Sequence, residues 1–196
     1  MTGGFQKRYF TRPRDLFRES RRAKRHMRAA RKVGPEHALD ARLSEKIMLA
    51  VCAVNRCRNC SYLHTRTTLE SGVGDGEIKQ LLAGELGDFP EREAAALAYV
   101  QHFTEHGERT SPEARRRVVE HYGPEKVLLI ERDAVRVQMG NLICNTAEAR
   151  ATVRNPPAGR FLLYLVYLLC APIAFAIGKM GERGRRFLAA NRIEIE

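Results

Sequence analysis

The sequence predicts an all-α protein built around one packed domain, and three observations support this fold class. Apolar residues recur at the three- and four-residue spacing of amphipathic helices almost throughout, and no convincing run alternates apolar with polar residues as a strand would. Glycine and proline separate these periodic segments. Of the 196 residues, 44% are hydrophobic, which is enough for a core and excludes a chain that is disordered as a whole.

The N-terminal arm, residues 1–35, holds nearly all of the net charge. Residues 1–32 carry twelve Lys and Arg against Asp15 and Glu19, which is a net +10 of the chain's +11. A weakly amphipathic helix is predicted to begin after Pro13. The arm can attract the phosphates of an anionic membrane or of nucleic acid, or it can dock as a solvated helix on its own protein. Nucleic acid is the least favoured partner, because no helix-turn-helix or aromatic-stacking signature is present.

The central domain, residues 36–155, is predicted to be a series of helices with recognisable ends. Ser44 is expected to cap the first helix, "LSEKIMLAVCAVN", while Asp75 is expected to cap a later one that Gly84 closes. Two further helices, "PEREAAALAYVQHFTEHG" and "SPEARRRVVEHYG", have a proline near the start and a glycine at the end. The segment "GPEKVLLIERDAVRVQMGNLICNTAEARATVR" then predicts one long helix, or two helices that join near Gly140.

The last segment, residues 156–196, is predicted to be an apolar helix followed by a basic tail. The break "NPPAG" precedes it, and residues 161–177 contain no charge. That length is near the lower limit for spanning a bilayer, which takes roughly 17–25 residues. Pro172 would kink a helix there. We therefore expect this helix to be buried in an intersubunit or domain interface, or to associate with a membrane.

The cysteine content indicates a reducing compartment. The chain has five cysteines: Cys52, Cys57, Cys60, Cys144 and Cys170. Their number is odd and no secretory signal opens the chain, so a cytoplasmic protein, with membrane association as an addition, is expected. In that setting a C-x-x-C pair is more often catalytic or metal-binding than structural. Cys144 and Cys170 lie in apolar sequence and are expected to be inert core thiols.

The segment "NRCRNCSYLHTR" carries the most informative spacing in the chain. Cys60 and His64 are four residues apart, so on a helix they share a face and the imidazole can accept the thiol proton. If a helix starts near Cys57, both cysteines lie in its first turn, where unpaired N–H groups stabilise a thiolate. Glu45 falls on a largely apolar stripe of the preceding helix, so burial should raise its pKa unless Arg56 pairs with it. A first-turn glutamate exposed to water is the alternative.

Three interpretations of the cysteine pair are open on this spacing alone. The pair can exchange between dithiol and disulfide. A zinc site could use Cys57, Cys60 and His64. Its fourth ligand could be Glu45 or Cys52. Structural zinc usually takes ligands from two separated clusters, and the absence of a second C-x-x-C or H-x-x-H makes this site less favoured. The cysteines could also be plain packing residues.

Taken whole, the spacing is E-x11-C-x2-C-x3-H, which resembles the alkylhydroperoxidase D-like group within the carboxymuconolactone decarboxylase superfamily. The resemblance covers roughly residues 40–150. It implies an all-helical fold that forms homo-oligomers, commonly trimers or hexamers. It also implies a peroxide substrate, an external thiol reductant and no bound cofactor. The decarboxylases of the superfamily generally lack this cysteine pair, which favours redox chemistry here.

Carried over by position, the resemblance implies that Cys60 is the peroxidatic cysteine and Cys57 the resolving one, with Glu45 and His64 as the proton relay. Asn59 departs from the pattern, because the best-known members carry a histidine there and an amide cannot shuttle a proton at neutral pH. The expected function is a peroxiredoxin-type oxidoreductase, a thiol-dependent peroxidase or disulfide oxidoreductase. The alternative is a non-catalytic oligomeric scaffold, held at a membrane or another partner by the arm and the apolar tail.

Overall fold

The computed structural model describes residues 5–106, 110–151 and 161–193. Apart from a short 3₁₀ turn at Pro35–His37, every regular element in these ranges is an α-helix, so the predicted all-α fold class is confirmed. The helices are α1 (Pro13–Ala30), α2 (Ala41–Asn55), α3 (Arg58–Glu70), α4 (Asp75–Ala83), α5 (Glu91–His106), α6 (Pro112–Ala151) and α7 (Phe161–Ala190).

Helix α2 forms the centre of the core. All of its residues from 47 to 55 are buried, and it packs against α3, α4, α5 and α6. The buried Lys46 donates hydrogen bonds to Glu77 on α4 (2.8 Å) and Glu93 on α5 (2.6 Å). Because a buried ammonium needs paired acceptors, these two bonds fix α4 and α5 against α2.

Two predicted N-caps are wrong, each for a local reason. Helix α2 begins before Ser44, at the N-cap Asp40, whose carboxylate accepts hydrogen bonds from two first-turn N–H groups. The Ser44 hydroxyl instead donates to the buried carboxylate of Asp133 on α6, at 2.6 Å. Gly74 is the N-cap of α4, and Asp75 is the first residue of the helix. At that position the negative charge of Asp75 still interacts favourably with the helix dipole.

Helix α6 includes two segments that the sequence predicted as separate helices, one on each side of Gly123. Its backbone leaves helical geometry at Gly123 (φ 76°, ψ 160°), which produces a kink, whereas the helix is continuous through Gly140. The Ser111 side chain accepts a hydrogen bond from the Ala114 N–H at 3.0 Å, so the predicted start of this helix is confirmed. Gly84 ends α4 in the left-handed conformation (φ 81°), also as predicted.

The basic arm docks on its own protein through α1. Its Arg22 is 4% exposed, lies 4.4 Å from the centroid of the Phe103 ring and donates to the Phe103 carbonyl oxygen at 3.3 Å. Nearby, His26 on α1 is hydrogen-bonded to Glu131 on α6 at 3.1 Å. One face of α1 is therefore built into the fold, while the opposite face remains exposed and basic.

Helix α7 lies along α3, and two glycines allow the close approach. A Cβ atom at Gly181 would lie 2.6 Å from the carbonyl oxygen of Asn59, and one at Gly184 would come still closer to that of Tyr62. Leu188, one turn further, is buried at 2% exposure. These contacts lie beyond the apolar residues 161–177, so the expected burial of that apolar stretch in an interface or a membrane stays a prediction.

The first half of α7 is described more sparsely. The break "NPPAG" and the Cys170 side chain lie outside the described residues, so the expected inert character of Cys170 stays a prediction. Among the residues that the structure describes, no helix is long and apolar enough to cross a membrane.

Candidate redox site

A sharp chain reversal between α2 and α3 positions the cysteine pair. Helix α2 ends at Arg56 in the left-handed conformation (φ 49°, ψ 46°), and Cys57 then takes the N-cap of α3 with extended backbone. Cys60 is the third residue of α3, so both cysteines lie in its first turn, as the spacing predicted. Because Arg56 ends the helix and is exposed, it does not pair with Glu45.

The two cysteines face each other inside the core. Their Sγ atoms are 2.7 Å apart, with the Cys57 thiol donating to Cys60, and the residues are 1% and 3% exposed. A disulfide bond needs about 2.05 Å between sulfurs. Only a small side-chain rotation therefore separates this dithiol from a disulfide, and the first turn of a helix, with unpaired N–H groups, can adjust to it.

A third cysteine completes the cluster. The Sγ atoms of Cys57, Cys60 and Cys144 all lie within 4.8 Å of one another, and Cys144 is 4% exposed. The predicted burial of Cys144 is thus confirmed, but its neighbours include the sulfurs of Cys57 and Cys60. Sequence spacing gave no signal for this neighbour, because Cys144 lies on α6 and only the packing of α6 against α2 and α3 brings it here.

Buried asparagines hold α6 at this position. Asn141 donates to the carbonyl oxygen of Val51 at 3.2 Å and accepts from the Cys52 thiol at 3.5 Å. One turn further, Asn145 donates to the carbonyl oxygen of Asn55 at 2.7 Å. These bonds join α6 to the last two turns of α2, and the Asn55 carbonyl, in the last turn, has no partner within the helix.

The three sulfurs titrate together. Hydrogen bonding to Cys144, reinforced by burial, raises the pKa of Cys57 and of Cys60, whereas hydrogen bonds from these two thiols lower the pKa of Cys144. The three thiols are thus coupled, because each hydrogen bond among them shifts the pKa of its neighbour. The sequence predicted only that the start of the helix stabilises a thiolate on the Cys57–Cys60 pair. It could not include the third thiol, which competes for the same negative charge.

Glu45 on α2 and His64 on α3 form a second polar group near the cysteines. The His64 Nδ1 and Glu45 Oε2 atoms are 3.5 Å apart, and the Thr67 hydroxyl donates to the same carboxylate oxygen at 2.6 Å. Burial alone would raise the pKa of Glu45, but hydrogen bonds from His64 and Thr67 outweigh it, so the pKa lies below its ordinary value of 4.5. The predicted rise is wrong, because Thr67 and His64 bond the carboxylate, whereas the sequence analysis considered only Arg56 as a partner.

The relay residues and the sulfurs are neighbours without a direct bond. Cys60 and His64 are one helical turn apart, but in the described part of the chain no hydrogen bond joins them. The zinc set predicted from Cys57, Cys60 and His64 is not assembled either, since the imidazole faces Glu45. Three cysteine sulfurs remain as a donor set that soft metals accept.

Replacing Glu45 with glutamine should destabilise the fold at neutral pH. The charged carboxylate accepts two hydrogen bonds, and losing its charge should lower the free energy of unfolding by about 1–2 kcal/mol. Because the folded pKa lies below 4.5, this contribution is complete above that pH and disappears as the pH falls through the folded pKa. Denaturant unfolding of both proteins at pH 7 and pH 3 measures it.

The matched control is Glu70→Gln, which removes a carboxylate that is 47% exposed at the end of α3. Its ion pair with Arg66 is a surface pair, for which we expect at most about 1 kcal/mol. A difference between wild type and Glu45→Gln that is equal at pH 7 and pH 3 would contradict the role assigned to the carboxylate charge.

The fold and this site define a class of protein: an all-helical thiol protein with a C-x-x-C pair at a helix start. One turn on, a histidine pairs with a glutamate of the preceding helix. The carboxymuconolactone decarboxylase family model matches residues 20–102. Over this segment, which is less than half of the chain, the sequence is similar to that family, and the predicted resemblance is confirmed at this level. The match includes the whole E-x11-C-x2-C-x3-H spacing and ends before α6 and α7. No curated protein and no solved structure gave a match.

Proposed function

We propose that this chain is a thiol-dependent peroxidase or disulfide oxidoreductase in which Cys57 and Cys60 alternate between dithiol and disulfide. The observation that carries the proposal is the 2.7 Å contact between their Sγ atoms in the first turn of α3. The match of residues 20–102 to the carboxymuconolactone decarboxylase family model supports it only coarsely, since the family name describes another reaction.

The first half-reaction uses Cys60 as the nucleophile. The proton of Cys60 passes to Nε2 of His64, and the resulting thiolate attacks one peroxide oxygen. The S–O bond forms, the O–O bond breaks, and the departing alkoxide takes that proton back from Nε2. Glu45, ionised at neutral pH, accepts the hydrogen bond from Nδ1–H of His64 and leaves Nε2 for this transfer.

The second half-reaction closes the disulfide. The thiol of Cys57 attacks the sulfur of the Cys60 sulfenic acid, the S–S bond forms, and the hydroxyl group leaves as water with the thiol proton. An external thiol reductant then returns two electrons and two protons. This cycle needs no bound cofactor, because the two sulfurs carry both electrons.

Thiol titration tests the proposed cycle. Reduced protein treated with one equivalent of peroxide should consume it and lose two titratable thiols after denaturation, and dithiothreitol should restore them. Protein alkylated beforehand with iodoacetamide should consume none. Loss of a single thiol per peroxide, or no consumption by the reduced protein, would refute the proposal.

We also propose that copies of the chain associate as a cyclic homo-oligomer. Exposed apolar side chains on α1 and α7 support this: Phe17 (67% exposed), Phe175 (66%), Ile173 (50%) and Leu168 (49%). Sedimentation equilibrium at micromolar concentration should show a trimer or hexamer, and a strict monomer would contradict it.

A second candidate function, attachment to an anionic membrane surface, is supported by the exposed face of α1. Six basic side chains of this helix are exposed: Arg14, Arg18, Arg21, Lys24, Arg25 and Arg28. Leu16 of α1 and Ala174 of α7 pack against one small cluster, so their exposed neighbours Phe17 and Phe175 flank the same junction. Basic and apolar groups side by side suit an interface that is both charged and hydrocarbon-rich.

Charge reversal on this face should abolish vesicle binding. Replacing Arg21, Lys24 and Arg28 with glutamate should weaken binding to phosphatidylserine vesicles by more than about 100-fold, since each basic residue contributes about 1 kcal/mol. Vesicle co-sedimentation at low salt measures the effect.

The control changes the same net charge elsewhere, with glutamate at Lys79, Arg116 and Arg117, which are exposed on α4 and α6. It should retain binding to phosphatidylserine vesicles, and neither variant should bind phosphatidylcholine vesicles. Equal losses in the two triple variants would show that net charge, not the α1 face, is responsible.

A further inference from the structure

Cys144 is the feature of the site that the proposed cycle does not use. It lies on α6, and its Sγ atom is within 4.8 Å of the sulfurs of both Cys57 and Cys60. All three residues are buried, at 1% to 4% exposure. Cys144 can therefore react with either sulfur of the pair without contact with solvent.

The position of Cys144 follows from specific contacts. Asn141 and Asn145 bind carbonyl oxygens of the last two turns of α2, immediately before the chain reverses into Cys57. Residues 141, 144 and 145 share one face of a helix, so the bonds that fix the asparagines also direct position 144 toward the reversal. Three independent hydrogen bonds, including that from Cys52, thus determine where the third sulfur lies.

We propose that Cys144 is a third exchange thiol, able to form a disulfide with Cys60 in place of Cys57. This inference rests on the proposed function, because it assigns a second resolving thiol to the same site. It gives the cluster two routes to one oxidised state.

The chemistry balances with the atoms present. When Cys60 is a sulfenic acid, the thiol of Cys144 attacks its sulfur, the S–S bond forms, and hydroxide leaves as water with the thiol proton. The Cys57 thiolate then attacks Cys60 in the Cys60–Cys144 disulfide, forms Cys57–Cys60 and releases Cys144 as a thiolate. No electrons enter or leave in the exchange step, so the cluster holds one disulfide and one thiol throughout.

The movement required is modest. Sulfurs within 4.8 Å must approach to about 2.05 Å, which side-chain rotation and a small displacement of the first turn of α3 can supply. Cys60 is the third residue of α3, where the helix has N–H groups without helical partners and is most easily adjusted.

The test uses Cys57→Ser, which leaves Cys60 and Cys144 as the pair. The reduced full-length variant is treated with one equivalent of diamide, which takes two electrons and two protons from a dithiol, and is then alkylated, digested and analysed by mass spectrometry. We expect a Cys60–Cys144 disulfide in at least half of the molecules. Cys57→Ser/Cys52→Ser should give the same product, and Cys57→Ser/Cys144→Ser should give no intramolecular disulfide at Cys60.

A second arm uses peroxide in place of diamide. Cys57→Ser/Cys144→Ser should accumulate a dimedone-reactive sulfenic acid at Cys60, whereas Cys57→Ser should lose this signal within the same time. Because diamide needs no peroxidase activity, a disulfide in the first arm with no peroxide consumption in the second would overturn the proposed peroxidase alone.

Two results would overturn the inference itself. One is a Cys57→Ser variant in which Cys144 remains alkylatable after diamide treatment, while circular dichroism shows the native helical content. The other is stoichiometric zinc in the purified wild-type protein that is lost in Cys144→Ser, since the three sulfurs would then be metal ligands.

Discussion

Replacing Cys60 with serine is expected to reduce peroxide turnover to the rate of the uncatalysed reaction, a loss of at least about 100-fold. A serine hydroxyl at this position does not ionise at neutral pH and forms no sulfenic acid, so neither half-reaction can begin. Cys57 and Cys144 would remain as two thiols 4.8 Å apart or less, which are able to exchange but lack the position closest to His64. Peroxide consumption with excess dithiothreitol measures the rate.

The control for this substitution is Cys52→Ser. Cys52 is a buried cysteine on α2 whose thiol donates to Asn141, and a serine hydroxyl can donate in the same way. Turnover in this variant should stay within about threefold of wild type, because Cys52 takes no part in either half-reaction. If Cys60→Ser retains more than a tenth of the wild-type rate, Cys60 is not the residue that attacks peroxide.

Replacing Gly184 with alanine is expected to lower the free energy of unfolding by about 1–3 kcal/mol, as overpacking does. The new Cβ would overlap the carbonyl oxygen of Tyr62, which is a backbone atom of α3 and cannot rotate away. Helix α7 would have to shift from α3, and the turn that carries Cys60 and Asn59 would lose part of its cover. We therefore also expect faster alkylation of Cys60 by iodoacetamide in this variant.

Gly178→Ala is the matched control on the same helix. A Cβ atom at Gly178 meets nothing within 4 Å, so alanine should raise the free energy of unfolding by up to about 1 kcal/mol through its helix propensity. Both variants replace glycine with alanine, and we expect opposite changes in the free energy of unfolding. Denaturant unfolding measures both changes. Equal effects at both positions would mean that α7 does not rest on α3 in solution.

Helix ends show which predictions a local signal can support. Gly84 and Ser111 hold the positions that their residue types favour, because the left-handed residue and the hydroxyl cap satisfy backbone groups next to them in the chain. Ser44 was predicted as a cap on the same reasoning, but its hydroxyl donates to Asp133 on another helix. A local capping preference fails where a residue distant in sequence offers the hydroxyl a better acceptor. The sequence around Ser44 gives no sign that Asp133 lies nearby.

By itself the sequence determined the all-helical class, the placement of both cysteines in the first turn of a helix, and the relation of Cys60 to His64. These features depend on the helical period and on the N-cap, which short segments encode locally. The family match over residues 20–102 includes the cysteine pair and His64.

Only the tertiary structure determined the ionisation of Glu45 and which residues surround the cysteine pair. Thr67 and His64 turn the expected rise in the Glu45 pKa into a fall, and the packing of α6 brings Cys144 to the pair. The close contact of α7 with α3 likewise depends on two glycines meeting a backbone more than a hundred residues away in sequence. Electrostatics and packing act through space over a few ångströms, so residues far apart in the chain set them, and spacing along the chain cannot reveal them.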